Sequence, residues 1–147
     1  MEAKPYRILL VCTGNTCRSP MAEVLAKQLF ADRPEVEVAS AGVYASDGGA
    51  ASAEAVAVMA KQGMDLSKHR SRLLTAEMVA AADGINTMPA TQRRAVVQAF
   101  PEAERKTQRL LSEEDIADPI GGPESAYEFT AAQIGRGLKE RFKEASA

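Results

Sequence analysis

Tryptophan is absent from this 147-residue chain, and aromatic residues of all kinds make up only 5% of it. Proteins that hold nucleic acid by stacking bases need exposed rings, so that class is poorly served. Charge of one sign is lacking too: 18 Lys and Arg stand against 20 Asp and Glu, a formal net charge of -2. Such a surface has no broad field for polyanions, and any anion must be bound by a local site. No nucleic acid partner is expected.

Metal-binding side chains are scarce as well, with two cysteines and one histidine. These cannot complete a four-ligand zinc site without carboxylates, and the C-x4-C spacing lies outside the usual C-x2-C pairing, so no metal is expected. Long apolar runs are missing. "MEAKPYRILLVC" is too short an apolar stretch for a signal peptide or a membrane span, and no later window reaches membrane length. The expectation is a cytoplasmic protein without membrane association, its cysteines thiols rather than a structural disulfide.

What is present is globular: 46% hydrophobic and 26% charged residues, enough for one packed domain over residues 1–147. "YRILLVC" (6–12) is a branched apolar run and reads as a buried strand. "SPMAEVLAKQLFAD" (19–32) reads as a helix, with Ser19 as N-cap, Pro20 in the first helical position and Glu23 near the positive end of the dipole. "VEVAS" (36–40) is a second strand. "SAEAVAVMAKQG" (52–63) is a helix capped by Ser52 and stopped by Gly63. A short helix follows from Thr75 to Asp83, then a weak strand "GINTM" (84–88) and a helix at 90–100 closed by Pro101. "TQRLL" (107–111) is a fourth strand, and a last helix spans 124–144. Gly135 and Gly137 each cost that helix about 1 kcal/mol relative to Ala, which predicts close packing or a frayed end. This β-α alternation predicts a four-stranded parallel open sheet with helices on both faces, in the flavodoxin-like order 2-1-3-4.

Such sheets bind ligands where strands end and helices begin. At that place stands "VCTGNTCRSP" (11–20), which holds both cysteines of the chain. If Thr13, Gly14, Asn15, Thr16 and Cys17 curl round one point, their N–H groups converge into an oxyanion cradle at a helix N-terminus. Gly14 is expected to take the backbone conformation that other residues resist. Arg18 adds a planar fork able to hold two oxygens. The same positive surroundings favour the thiolate of Cys12, so a nucleophile would lie beneath a phosphate-sized anion. No Lys-Ser/Thr pair follows the glycine, so this is not a nucleotide P-loop, and the G-x-G-x-x-G of dinucleotide folds is missing. An aspartate-proline pair on the Gly-rich "ADPIGGP" (117–123) supplies a candidate acid: Asp118 could protonate a leaving group and then activate water.

"VCTGNTCRSPMAE" resembles the phosphate loop of the low-molecular-weight protein tyrosine phosphatases. The resemblance extends to "SAG" at 40–42, "DLSKHRSRLLT" at 65–75 and "DPIGG" at 118–122, in the family's order. It implies a cofactor-free enzyme working through a phosphocysteine, with Cys12 as nucleophile, Arg18 binding phosphoryl oxygens and Asp118 as general acid. It also implies that Asn15, Ser19, Ser40 and His69 brace the loop by hydrogen bonds, with Ser19 able to donate to the Cys12 thiolate. Phosphorylated proteins are the expected substrates, and a monomer is expected.

Two positions bear on which phosphorylated residue is cleaved. Tyrosine-specific members usually carry an aliphatic residue where Thr16 stands, whereas the bacterial protein-arginine phosphatases carry Thr in a loop like "CTGNTCRSP". Tyrosine-specific members also commonly place aromatics after the Asp-Pro pair, where this chain has Ile120 and Gly121. A wall without rings suits a slim guanidino group better than a phenyl ring. The expected substrate is phosphoarginine in proteins, with phosphotyrosine as the alternative. Cys17 could trap an oxidised Cys12 as a reversible disulfide. Arsenate reductases share the fold and cysteine loop but relay through further cysteines, and none follows Cys17 here. The stretch "ADGINTMPATQRR" is more polar than the family's third strand, which questions the stability of that strand.

Overall fold

The computed structural model describes residues 5–88, 90–111 and 116–142. Four parallel strands form one sheet in the order β2-β1-β3-β4, as the alternation predicts. They are β1 (Tyr6–Cys12), β2 (Val36–Gly42), β3 (Gly84–Thr87) and β4 (Thr107–Arg109). The helices are α1 (Arg18–Leu29), α2 (Ala53–Lys61), α3 (Ala76–Ala81), α4 (Ala90–Ala99) and α5 (Glu124–Arg141), with a 3-10 turn at Pro101–Lys106 that the sequence did not announce.

The alternation of side chains along β1 sends Ile8 and Leu10 to one face and Leu9 and Val11 to the other. The first face packs on Met21, Ala22 and Ala26 of α1, Met59 of α2, and Tyr127, Ile134 and Leu138 of α5. The second packs on Val79 of α3, Val96 of α4, and Ile85 and Ala103. Burial on both faces explains why β1 is apolar throughout rather than alternating. Cys12 ends β1 opposite Gly42 at the end of β2, so the loop between Cys12 and α1 opens at the carboxyl edge of the sheet.

Several boundaries differ from the sequence reading. The capping position of α1 is Cys17, with no side-chain cap bond, and the helix begins at Arg18 and ends at Leu29 rather than Asp32. Ser19 is therefore inside the first turn, and Glu23 sits two residues further in than its placement at the dipole supposed. Ser52 does occupy the capping position of α2 but makes no cap bond. Gly63 follows that helix at φ 81 and ends it, in the left-handed region that glycine tolerates. Thr75 caps α3 by accepting from Met78 N.

Despite its composition, β3 forms. It pairs with β1 and β4 on its two sides. Gln108 Nε2 donates to the buried Asn86 Oδ1 at 3.3 Å and Thr87 Oγ1 donates to Gln108 O at 3.4 Å, so its polar side chains are satisfied within the sheet. Pro89 lies outside the described residues, as do Lys143 and Glu144 of the expected last helix. β4 closes at Arg109, two residues early, although Leu110 N still donates to Thr87 O. In α5 the two glycines differ: a Cβ on Gly137 would meet Leu110 Cγ at 2.8 Å, while one on Gly135 would meet nothing within 4 Å. Close packing accounts for Gly137 alone. No helix among the described residues is long and apolar enough to cross a membrane.

Candidate active site

The loop from Cys12 to Arg18 is fixed from outside by its carbonyl groups. Cys12 O accepts from Val43 N, Thr13 O from Tyr44 N, and Thr16 O from Ser52 N. Asn15 O lies 2.8 Å from His69 Nε2, and since a carbonyl only accepts, that ring nitrogen carries the proton. A trans peptide points its N–H opposite to its C=O. Turning these four carbonyls outward therefore turns the N–H groups of Thr13, Gly14, Thr16 and Cys17 toward the inside of the curl. Inward N–H groups of this kind are what the cradle expected from the sequence requires.

The left-handed residue of the loop is Asn15, at φ 56, and Gly14 is not in that region. This corrects the role expected of Gly14. Asn accepts the left-handed conformation more readily than other non-glycine residues when its side chain is well bonded. Here it is bonded on three sides. Asn15 Oδ1 accepts from Arg72 N at 2.9 Å, and Nδ2 donates to Ser19 Oγ at 2.8 Å and Ser40 Oγ at 3.0 Å. Close approach is also built into the neighbouring strand, where a Cβ on Gly42 would lie 2.5 Å from Thr13 O and 2.9 Å from Asn15 N.

Cys12 is buried, as are Asn15, Cys17, Arg18, Ser19 and Ser40. Cys12 Sγ lies 2.9 Å from Ser19 Oγ and accepts from Asn15 N at 3.3 Å. Both cysteines are free thiols. Burial pushes the Cys17 thiol above its ordinary value, the neighbouring Cys12 adds to the rise, and the Arg18 backbone N–H opposes it. Arg18 Nη1 donates to Ile116 O at 3.3 Å, and Nη2 stands 3.7 Å from Asp118 Oδ2. Arg18 Nε is buried and has no hydrogen-bond partner among the described residues, which leaves a donor for an oxyanion.

Asp118 is half exposed. Ile120 N donates to its Oδ1 at 3.1 Å, closing an Asx turn. Gln133 and Thr130 of α5 hold the loop from behind through Ala117. Ile120 projects into solvent at 63% exposure. Thr16 is partly exposed in the loop. The structure thus gathers Cys12, Arg18 and Asp118 at one edge of the sheet, with Asn15, Ser19, Ser40 and His69 packed around the loop.

Three residues of this arrangement escaped the sequence reading. Gln92 of α4 donates from Nε2 to Thr13 Oγ1 at 2.9 Å. Arg72, quoted only within "DLSKHRSRLLT", bonds Asn15 through its backbone and Ser40 O through its guanidinium. Glu23 accepts from Ser40 Oγ at 2.6 Å and from Lys27 Nζ at 2.8 Å. All three act across the fold, and only the Glu23–Lys27 pair, at i,i+4, had a local signal.

A nucleophile-bearing anion loop, an arginine behind it and an aspartate facing it are what a cysteine-dependent phosphatase requires. Residues 7–146 match the family described as "Low molecular weight phosphotyrosine protein phosphatase", and the chain belongs to that family. It is 46% identical over 130 residues to a protein-arginine-phosphatase of Geobacillus stearothermophilus, covering 84% of each chain. Among solved structures it superimposes on the YwlE arginine phosphatase of the same organism with a TM-score of 0.89 at 39% identity, covering 95% of this chain and 92% of that one. It superimposes equally on a low molecular weight protein tyrosine phosphatase from T. tengcongensis, with a TM-score of 0.90 at 37% identity, covering 95% and 99%.

Proposed function

We propose that this protein hydrolyses phosphoarginine in proteins through a phosphocysteine, as a monomer acting in the cytoplasm without a cofactor. The observation that supports the phosphatase chemistry is the outward set of loop carbonyls, whose peptide N–H groups then face the inside of the loop. Arg18, whose buried Nε has no partner among the described residues, would complete the oxyanion cradle.

The Cys12 thiolate attacks phosphorus, and the S–P bond forms as the bond to the guanidino nitrogen breaks. Asp118 passes its proton to that nitrogen, which leaves badly as an anion. The Asp118 carboxylate then takes a proton from water, the water oxygen attacks phosphorus, and the S–P bond breaks to release phosphate and regenerate the thiolate. The inward N–H groups and Arg18 stabilise the charge that builds on the equatorial oxygens in both steps.

Thr16 in the loop and the ringless wall at Ile120 support arginine over tyrosine, as does the similarity to the protein-arginine-phosphatase of Geobacillus stearothermophilus. A phosphotyrosine reading has one observation in its favour: Tyr44, whose N–H bonds Thr13 O, is 76% exposed and could flank a substrate ring. The covalent mechanism is tested by Cys12→Ser. Turnover should vanish while inorganic phosphate still binds. Appreciable turnover by the variant would overturn the phosphocysteine.

A further inference from the structure

The hydroxyl groups behind Cys12 have a direction that can be worked out, because their network ends on groups with a single hydrogen-bonding choice. At one end the backbone N–H of Arg72 can only donate, and it meets Asn15 Oδ1 at 2.9 Å. That fixes the amide and leaves Nδ2 to face Ser19 Oγ at 2.8 Å and Ser40 Oγ at 3.0 Å. At the other end the Glu23 carboxylate can only accept. Its Oε1 lies 2.6 Å from Ser40 Oγ and its Oε2 is taken by Lys27 Nζ at 2.8 Å. The Ser40 proton therefore goes to Glu23, Ser40 accepts from Asn15, and Ser19 accepts the other amide proton. The Ser19 proton is left for Cys12 Sγ, 2.9 Å away.

We propose that Glu23 is a positioning residue that keeps the Ser19 hydroxyl aimed at the nucleophile. Glu23 touches neither Cys12 nor substrate. It acts as the acceptor that removes the proton of a buried serine, so that Asn15 can donate with both amide hydrogens. The isosteric change Glu23→Gln reverses this. Lys27 holds the carbonyl of the new amide, so its N–H group faces Ser40. That N–H and Asn15 Nδ2 then both point at Ser40 Oγ, and the buried Ser40 proton has no acceptor. The Asn15 amide, still held at Oδ1 by Arg72 N, is pushed away from Ser40, and Ser19 loses the donor that aims its hydroxyl at sulfur. A buried polar group without a partner is costly enough to drive such a rearrangement.

This rests on the reading of Cys12 as the reactive thiolate, and the test is chosen to be independent of turnover. The rate of Cys12 alkylation by iodoacetamide, with the adduct located by mass spectrometry, reads the thiolate directly. Inhibition of alkylation by inorganic phosphate reads the cradle. Glu23→Gln is expected to slow alkylation roughly 3- to 10-fold, in line with the net worth of a typical hydrogen bond, with phosphate affinity kept within about twofold. Adding Ser40→Ala removes the proton that needed a partner, so the double variant should regain most of the lost rate. Alkylation of Glu23→Gln at the wild-type rate, a parallel loss of phosphate affinity, or no recovery in the double variant would each overturn the proposal. A chain that alkylates as expected but turns over no phosphorylated substrate would leave Glu23 in place and remove the functional reading instead.

Discussion

Arg18 Nη2 stands 3.7 Å from Asp118 Oδ2, with the arginine side chain 6% exposed and the aspartate 52%. One partner is locked in the wall of the site and the other rests on the surface of a loop. An ion pair half in water contributes little to stability, about 0–1 kcal/mol. The contact places the Asp118 carboxylate beside Arg18 without binding it there tightly.

Asp118→Asn should therefore lower kcat by roughly 10²- to 10⁴-fold, the usual share of a positioned acid, while the thermal midpoint hardly moves. Steady-state kinetics with a melting curve on the same sample checks both. A loss under about threefold would mean that another group supplies the proton.

Cys17 offers a second test. Its thiol is held protonated by burial and by the nearby Cys12, so it is a poor target for peroxide at neutral pH. Cys12 should oxidise first, to the sulfenic acid. The Cys17 thiol then displaces water from that sulfur and forms a disulfide, which dithiothreitol reduces. Peroxide-treated wild type should recover activity with dithiothreitol, and Cys17→Ala should recover far less. Equal recovery in the two proteins would remove Cys17 from the protection.

The two glycines of α5 should respond in opposite directions. Gly137→Ala drives a methyl group to 2.8 Å from Leu110 Cγ and 3.3 Å from its carbonyl oxygen, and should destabilise by about 1–3 kcal/mol. Gly135→Ala meets nothing within 4 Å and should gain about 0.5–1 kcal/mol of helix propensity. Urea midpoints at equal slope decide the matter. A stabilising Gly137→Ala would show that Leu110 yields easily.

These contrasts mark what was legible in the residues alone. The sheet order, the strand-loop-helix junction and the convergence of Cys12, Arg18 and Asp118 could be read, because period, turn chemistry and motif spacing are local or carried by the family resemblance. The conformation of the loop could not. Its left-handed residue is Asn15 and not Gly14, since the bonds from Arg72, Ser19 and Ser40 that hold Asn15 come from other elements. Ser19 looked like a helix cap because a serine before a proline has that local meaning, yet its hydroxyl is engaged by Asn15 and Cys12. The polar third strand looked weak for the same reason: Gln108, which satisfies Asn86, lies on a different strand.

The most direct test of the proposed substrate is kcat/KM on phosphoarginine and phosphotyrosine peptides side by side, for wild type and Thr16→Ile. Wild type should prefer phosphoarginine, and the preference should collapse in the variant. A preference for phosphotyrosine that the variant leaves unchanged would contradict the assignment.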